Sequence, residues 1–223
     1  MTTITVVTST IGRESLLRLS ESLSVQGVKT VHIILWDTKR VTGGVTPHDI
    51  RLQQNVNDNY SIFHYFVEHE IRLKLNERVD NHLRAIGISM STSDYITLID
   101  DDCWVEPGWF RRAFESHGDY SLCQRFIWED LKTRLGVDTY ESIGHTNTFG
   151  YKLMDMNTIV FRSDMKGFLV SEILNNNNYT IDRHLAEKLS QGFQGTQFSV
   201  PFMNQVSPDF LLEFHKRHIT ERH

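Results

Sequence analysis

The chain has 223 residues, 39% of them hydrophobic, with a formal charge of −5 and a pI near 6.1. This length is enough for one domain with a substantial core, and the mild acidity gives no sign of a general affinity for nucleic acid or anionic membrane. Two cysteines do not make a disulfide framework, and no apolar run approaches the roughly 18 residues of a spanning helix. Since the N-terminus also lacks a signal-peptide pattern, we expect a cytoplasmic protein.

The first half of the chain alternates strand-like and helix-like segments. A β-branched run predicts a first strand at 4–10, and leucines at helical spacing follow the polar turn 8–13. Residues 31–36 predict a second strand and 50–56 a short third one, while 60–75 show no regular period. A helix is predicted at 81–90, before the apolar strand 95–99. This rhythm predicts a mostly parallel sheet flanked by helices.

The second half continues without a repeat or an internal linker. Pro107 begins a further helix, in the early position that proline tolerates. Strands are predicted at 120–128 and 158–162, a helix at 181–189, a strand interrupted by Pro201 at 196–206 and a terminal helix at 210–219. The asparagine run 175–178 predicts a loop. We therefore predict one domain.

The most informative stretch is the strand that ends on three adjacent aspartates, Asp100, Asp101 and Asp102. Burying three carboxylates in a sheet would cost much free energy, so we expect them at the strand's carboxyl end, where open α/β sheets bind ligands. Mg²⁺ or Mn²⁺ shared with a substrate diphosphate would compensate their repulsion. By strand alternation, Asp100 and Asp102 share a side and Asp101 points the other way. The competing interpretation is a solvated acidic turn that caps a helix.

Four features occur in the order found in nucleotide-sugar glycosyltransferases of the GT-A type. They are the first strand with its turn at 8–13, the second strand ending at Asp37, the helix that carries Arg84, and the aspartate triplet followed by Pro107 and Trp109. The triplet resembles the Asp-x-Asp motif of that class. Over roughly its first half, the chain therefore resembles a small, family 2-like member.

The resemblance implies a fold and separate donor-binding and acceptor-binding halves. We expect an α/β fold with a single GT-A-like, Rossmann-related domain over residues 1–223. Residues 1–105 would form the nucleotide-sugar-binding half and residues 106–223 the acceptor-binding half. The donor would be a nucleoside-diphosphate sugar. The residues expected to bind it are Thr8, Thr10, Arg13, Asp37, Arg84, Asp100 and Asp101.

The resemblance also implies a metal and a base. Mn²⁺ or Mg²⁺ would be held by Asp102, Asp100 and the late His215. Asp182 falls where inverting members carry their general base, and the dipole at a helix start is expected to keep it ionised. Ile181 precedes it where a second acid is commoner, so the stereochemical outcome stays open. The residues expected on the acceptor side are Trp128, His145, Asn147 and Arg183.

We thus predict a metal-dependent transfer of sugar to an acceptor hydroxyl, inverting and with a carboxylate base. A saccharide or glycan precursor is the preferred acceptor. A nucleic-acid base comes second, because a local basic face of Arg72, Lys74, Arg78 and Arg84 would be needed to offset the acidic net charge. A divalent-metal phosphohydrolase, a nucleotidyltransferase and an inactive nucleotide-binding module stay open as alternatives. A nucleotidyltransferase usually has a glycine-rich basic loop after the first strand, and the turn 8–13 contains one glycine.

Overall fold

The computed structural model describes residues 1–39, 44–54, 58–68, 78–138, 155–176, 181–207, 212–213 and 216; the side chains of 51–54 and 183 are not described. Within these ranges there are nine strands: β1 (Thr3–Thr10), β2 (Lys29–Asp37), β3 (Tyr60–Val67), β4 (Tyr95–Leu98), β5 (Cys103–Val105), β6 (Tyr120–Trp128), β7 (Arg134–Asp138), β8 (Ile159–Arg162) and β9 (Gly195–Val206).

Six α-helices accompany the strands in the described ranges: α1 (Ser15–Ser24), α2 (Pro47–Gln54), α3 (Val79–Met90), α4 (Trp109–Phe114), α5 (Lys166–Asn175) and α6 (Ile181–Gly192). Short 3-10 turns occupy Met156–Thr158 and Ser163–Met165. Among the described helices, none has both the length and the apolar character needed to cross a bilayer.

All the strands join one sheet in the order β3-β2-β1-β4-β8-β6-β9-β5, with β7 paired to β6. The pairs β1–β2, β2–β3, β1–β4 and β6–β9 are parallel, whereas β8 is antiparallel to both β4 and β6. It follows that β6 and β9 run in the same direction as the first four strands, so only β5, β7 and β8 oppose them. The predicted α/β fold with a mostly parallel sheet is confirmed.

The sheet separates two hydrophobic clusters, and alternate residues of β1 face each of them. Ile4 and Val6 pack in a cluster with leucines of α1, while Val7 packs in the other with Leu83 of α3. On that second face, Gly87 lets α3 approach the strands closely: a Cβ atom there would lie 2.8 Å from Leu35 Cδ1 and closer still to Val7. Both faces of β1 are therefore covered, as its β-branched sequence requires.

The predicted strand at 50–56 is wrong, because residues 47–54 form α2. Thr46 and Asp49 make a capping box, in which the Thr46 hydroxyl donates to Asp49 Oδ2 at 2.6 Å and the Thr46 N–H at 2.8 Å. Pro47 occupies the first helical position, which suits its fixed φ. These helix-start signals outweigh the weak strand propensity of a short apolar segment. The sequence analysis also missed β3, β5, β7 and α5.

Candidate active site

The aspartate triplet lies directly after β4, at the carboxyl end of the parallel strands, where the sequence places it. The main chain still bonds as a strand at Ile99, whose N–H donates to Val7 at 3.0 Å, and then turns at residues 101–102. Because the extended conformation has ended, strand alternation no longer decides the side-chain directions. Asp101 and Asp102 both contact Arg13, whereas Asp100 faces Arg84, and this corrects the predicted alternation.

Asp100 is balanced by a buried arginine. Its Oδ1 accepts an ion-pair hydrogen bond from Arg84, which is 5% exposed and also donates to Asn81 Oδ1 at 2.9 Å. Asn157 Nδ2 donates to the other carboxylate oxygen at 3.1 Å. Burial by itself would raise the pKa of Asp100, but the Arg84 charge and these hydrogen bonds lower it below its ordinary value. Asp100 is therefore ionised and paired within the protein.

Asp101 organises the turn that follows β1. Its side chain is buried, with Oδ2 accepting from the Thr10 hydroxyl at 2.7 Å and from the Ile11 N–H at 3.4 Å. Its Oδ1 accepts from Arg13 Nη1 at 2.5 Å. The Gly12 N–H in turn donates to Thr10 Oγ1 at 2.9 Å. The solvated acidic turn is thus excluded for Asp101, whose described contacts hold Arg13 at the end of β1.

Asp102 is the member of the triplet whose charge is least compensated. Its Oδ1 accepts from the Cys103 thiol at 3.3 Å, and its Oδ2 lies 3.8 Å from Arg13 Nη1. Burial, followed by the charges of Asp100 and Asp101, raises the pKa of Asp102 to about 7, although Arg13 opposes the shift. A cation near Asp102 would favour the ionised carboxylate.

Asp182 is a second carboxylate without full compensation, in the first turn of α6. Its Oδ1 is buried and has no hydrogen-bond partner among the described residues. Burial, followed by the negative charge of Asp155, raises the pKa of Asp182 to about 7, with Arg84 opposing and Asp100 adding to the rise. Desolvation and neighbouring charges therefore raise the pKa of this carboxylate although it lies at a helix start, and its ionisation as a base stays a prediction.

Four residues that the sequence reading missed connect these carboxylates. Asp155 Oδ1 accepts from the N–H and the side-chain amide of Asn157, at 2.9 and 2.7 Å, and its Oδ2 pairs with Arg125. Arg125 Nη1 also donates to Gln205 Oε1 at 2.5 Å. The available signal was Arg125 itself, the charged residue of the predicted strand 120–128, since a buried charge requires a partner.

The side chain of Thr8 faces the core, and this corrects the prediction that its hydroxyl contacts the donor. Thr8 is fully buried, with its Oγ1 3.0 Å from His32 Nε2. His32 Nδ1 lies 2.8 Å from the Tyr60 hydroxyl, which lies 2.8 Å from Ser20 Oγ. This chain of hydrogen bonds satisfies four buried polar groups and ties β1, β2, β3 and α1 together.

Two further predicted residues, Asp37 and Trp128, make contacts within the protein. Asp37 lies at the carboxyl end of β2, is buried and accepts from the Lys39 N–H at 3.1 Å. The Trp128 ring packs against Trp104, with centroids 5.3 Å apart, and its Nε1 donates to Asn204 at 2.9 Å. The donor role of Asp37 and the acceptor role of Trp128 stay predictions.

Several predictions fall outside the described part of the chain. They concern His145, Asn147, His215, Arg72, Lys74 and the side chain of Arg183. Arg84 cannot belong to the predicted basic face for a nucleic acid, because its side chain is buried against Asp100. Arg78, a second member, pairs with Asp80.

The described residues fit a divalent cation only in part. No group of three or more His, Cys, Asp or Glu side chains within them is arranged to hold a metal ion. Asp100 is already paired with Arg84, so its role as a metal ligand stays a prediction, and Asp102 is the least compensated carboxylate of the triplet. One carboxylate is sufficient for Mg²⁺ that keeps waters and shares substrate phosphates. The site thus suits a cation that arrives with a diphosphate.

Comparisons with known proteins agree with the predicted resemblance. Residues 68–174, slightly under half of the chain, match the family model described as Glycosyl transferase family 2. No curated protein matches the sequence. The family match supports glycosyltransferase activity.

Solved structures show the same fold at low sequence identity. S. aureus TarS 1-349 in complex with UDP-GlcNAc superposes with a TM-score of 0.60 and 12% identity, covering 94% of this chain and 59% of TarS. The same protein in complex with UDP gives 0.61 and 12%, covering 98% of this chain and 64% of TarS. HddC from Yersinia pseudotuberculosis gives 0.51 and 11%, covering 100% and 99%. The chain thus spans less than two thirds of these TarS chains, and the predicted GT-A-like fold is confirmed.

Proposed function

We propose that this chain, which resembles the family 2 glycosyltransferases in sequence and fold, transfers a sugar from a nucleoside-diphosphate sugar to an acceptor hydroxyl. The proposal rests on one observation: two carboxylates of the site are paired with arginines, and two others have raised pKa values. Asp100 and Asp101 are paired with Arg84 and Arg13, whereas Asp102 and Asp182 have pKa values raised to about 7. Carboxylates with perturbed pKa values, near the carboxyl ends of strands where ligands bind, are candidates for functional residues.

Asp102 and Arg13 form the proposed donor end of the site. The Arg13 side chain is 49% exposed although Asp101 anchors it, so its guanidinium is available to an anionic ligand. Asp102 would hold Mn²⁺ or Mg²⁺ together with the donor diphosphate, and the cation would stabilise the negative charge that develops on the leaving group. The TarS complexes with UDP-GlcNAc and UDP support a UDP-sugar as the first donor to test.

Asp182 is the proposed general base. A base works best when its pKa lies near the working pH, and burial beside Asp155 raises the pKa of Asp182 into that range. The acceptor oxygen would form a bond to the anomeric carbon while the bond from that carbon to the diphosphate breaks. The acceptor proton passes to Asp182, and the bonding electron pair leaves with the diphosphate. This assignment implies inversion at the anomeric carbon, with a saccharide or glycan precursor as the proposed acceptor.

A thermal-shift panel on the full chain tests the proposal. UDP-GlcNAc, UDP-glucose, GDP-mannose and the free diphosphates are each added with Mn²⁺, Mg²⁺ or EDTA, and the mixtures are then analysed for released nucleotide and transferred sugar. A ligand at 100 times its Kd stabilises by about 2.7 kcal/mol, so we expect a rise of several degrees in Tm with one nucleotide sugar. Absence of any shift and of any sugar release would overturn the proposal.

The products separate the alternatives. Sugar attached to an acceptor, or released together with an intact nucleoside diphosphate, supports glycosyl transfer. Cleavage within the diphosphate would indicate a phosphohydrolase, and nucleotide-sugar formation from a sugar phosphate and a nucleoside triphosphate would indicate a nucleotidyltransferase. Tight nucleotide binding without turnover over a broad set of acceptors would indicate a binding module.

A further inference from the structure

Asn157 lies between Asp100 and Asp155 and donates hydrogen bonds to both carboxylates. We infer that Asn157 is a positioning residue that couples Asp100, at the donor end of the site, to Asp155, which neighbours the proposed base. The inference rests on the proposed function and adds a residue that neither the sequence reading nor the family match assigns. Asn157 acts through the carboxylates it holds.

Asn157 has an unusually complete set of hydrogen bonds for one side chain. Its Oδ1 accepts from the Asp100 N–H at 2.7 Å, and its Nδ2 donates to Asp100 Oδ2 at 3.1 Å and to Asp155 Oδ1 at 2.7 Å. Its own backbone N–H donates to the same Asp155 oxygen at 2.9 Å. The residue is buried, so these bonds form away from bulk solvent.

The chemistry of a carboxamide matches this position. One acceptor must face a backbone N–H while two donors face two carboxylates, and among short side chains only asparagine offers both. An aspartate of the same size would add a negative charge facing two existing ones, and an alanine would leave the Asp100 N–H and two carboxylate oxygens with fewer partners. Asn157 thus fixes both the main chain and the side chain of Asp100.

The contacts of Asn157 extend across the middle of the sheet. Asp100 lies after β4, Asn157 lies in the 3-10 turn Met156–Thr158 before β8, and Asp155 pairs with Arg125 of β6. Arg125 continues the connection to Gln205 of β9. Asp155 is also the charged neighbour whose field acts most strongly on Asp182. A shift of Asn157 would therefore alter both ends of the site together.

Asn204 provides a matched control. It is equally buried, and it also bridges two elements, since its Oδ1 accepts from Trp128 at 2.9 Å and its Nδ2 donates to Glu106 at 2.7 Å. Its described side-chain contacts do not include the Asp100–Asp155 cluster. Replacing either asparagine by alanine removes a buried carboxamide with strong hydrogen bonds, so comparable losses of stability are expected.

The test compares wild type, Asn157→Ala, Asn157→Ser and Asn204→Ala at a temperature where circular dichroism shows each to be folded. Donor affinity is measured by calorimetry with the UDP-sugar that wild type uses, and kcat is measured at saturating donor. For Asn157→Ala we expect a ~10-fold weaker donor affinity and a ~10-fold lower kcat per folded molecule, with Asn157→Ser between it and wild type. For Asn204→Ala, at a residue that contacts Trp128 on the predicted acceptor side, we expect donor affinity to stay within about twofold.

The outcomes separate the two proposals. An active wild type in which Asn157→Ala and Asn204→Ala weaken donor affinity alike would overturn the positioning role and leave the proposed function standing. An Asn157→Ala variant with unchanged affinity and kcat would do the same. A wild type that neither binds nor uses a nucleotide sugar would overturn the proposed function, and with it any positioning role in that reaction.

Discussion

Arg84 and Asp100 form an ion pair that joins α3 to the carboxyl end of β4. The Arg84 side chain is 7% exposed and the Asp100 side chain 26%, so the arginine end of the pair is buried and the aspartate end is partly exposed. Asp80 lies 3.5 Å from the same guanidinium, which therefore faces more than one carboxylate. Arg84 supplies, from within the protein, positive charge that an external cation would otherwise have to supply.

Arg84→Met should strongly destabilise the protein, because it leaves Asp100 partly buried without its cation. Removing one partner of a buried pair typically costs about 3–5 kcal/mol, and we expect a loss in this range at pH 7 by urea unfolding. The pKa of Asp100 is lowered in the folded state, so the stabilisation is present above its unfolded pKa and disappears as pH falls through the folded one. A loss under ~1 kcal/mol at pH 7 would show that the pair is not important for stability.

Asp182→Asn should stabilise the protein at pH 8. In the wild type, the folded-state pKa of about 7 lies above the ordinary value of 3.8, so folding is opposed wherever the carboxylate is ionised. The gain should be largest above pH 7 and should shrink as pH falls from 7 toward 4, because the wild-type group then becomes protonated in the folded state. This gain in the free energy of unfolding is measured by urea unfolding at pH 8, 6 and 4.5. A variant equally or less stable than wild type at pH 8 would contradict the placement of Asp182.

The pH dependence of the transfer reaction should report the same group. As a base, Asp182 must be ionised, so kcat/KM should rise with pH and level off above about pH 7, rather than near the ordinary carboxyl pKa. Burial raises this pKa most; among charged groups, Asp155 before β8 and Asp100 after β4 raise it and Arg84 of α3 lowers it. A profile for wild type that is flat from pH 5 to 8 would indicate another base.

Asp102→Asn should separate metal-dependent donor binding from folding. The variant keeps the size of the side chain but loses the charge that a cation requires, so we expect donor affinity in Mn²⁺ to fall to its value in EDTA. The unliganded protein should be no less stable than wild type at pH 8, because a carboxylate with a raised pKa has been removed. Calorimetry with and without EDTA measures this, with the more exposed Asp164→Asn as the control. Unchanged affinity in Mn²⁺ would exclude Asp102 as the ligand.

Gly87→Ala should destabilise the protein even though alanine favours helices by about 1 kcal/mol over glycine. The added methyl group would overlap the side chains of Val7 and Leu35 beneath α3. Overpacking of this kind costs about 1–3 kcal/mol, so we expect a lower denaturation midpoint. Gly167→Ala, in the first turn of α5 with open space around its Cβ position, is the matched control and should be neutral or stabilising. Equal effects of the two changes would show that α3 can shift outward.

The sequence was most informative where side-chain periodicity and burial agree. The strand 95–99 with its terminal aspartates, the charged end of the second strand at Asp37 and the helix of Arg84 all follow from local pattern, and the structure places all three at one end of the sheet. The helix α2 was missed because a short apolar segment has ambiguous period, although Thr46 and Asp49 carried a capping signal.

The connections between distant residues could not be read from local pattern. Nothing near Asn157 in the sequence indicates that its side chain meets Asp100, because β8 inserts between β4 and β6 only in the folded sheet. The raised pKa of Asp182 could not be read for the same reason: the helix start is local and visible, whereas the desolvation and the Asp155 charge come from tertiary packing. Hydrogen-bond partners and desolvation therefore needed the structure.

The pairing of β5 with β9 has a consequence for how the chain is made. Cys103 of β5 is in register with Gln205, and the carbonyl oxygen of Asp102 accepts from the Val206 N–H at 3.0 Å. On the ribosome, the aspartate turn emerges long before these partners, so its backbone is closed only after the final strand has been synthesised. The first four strands can pair by then, but the backbone of the aspartate turn gains its bond to Val206 only after β9 has emerged. A chain that stops short of residue 195 would lack β9, and with it the backbone closure of the aspartate turn.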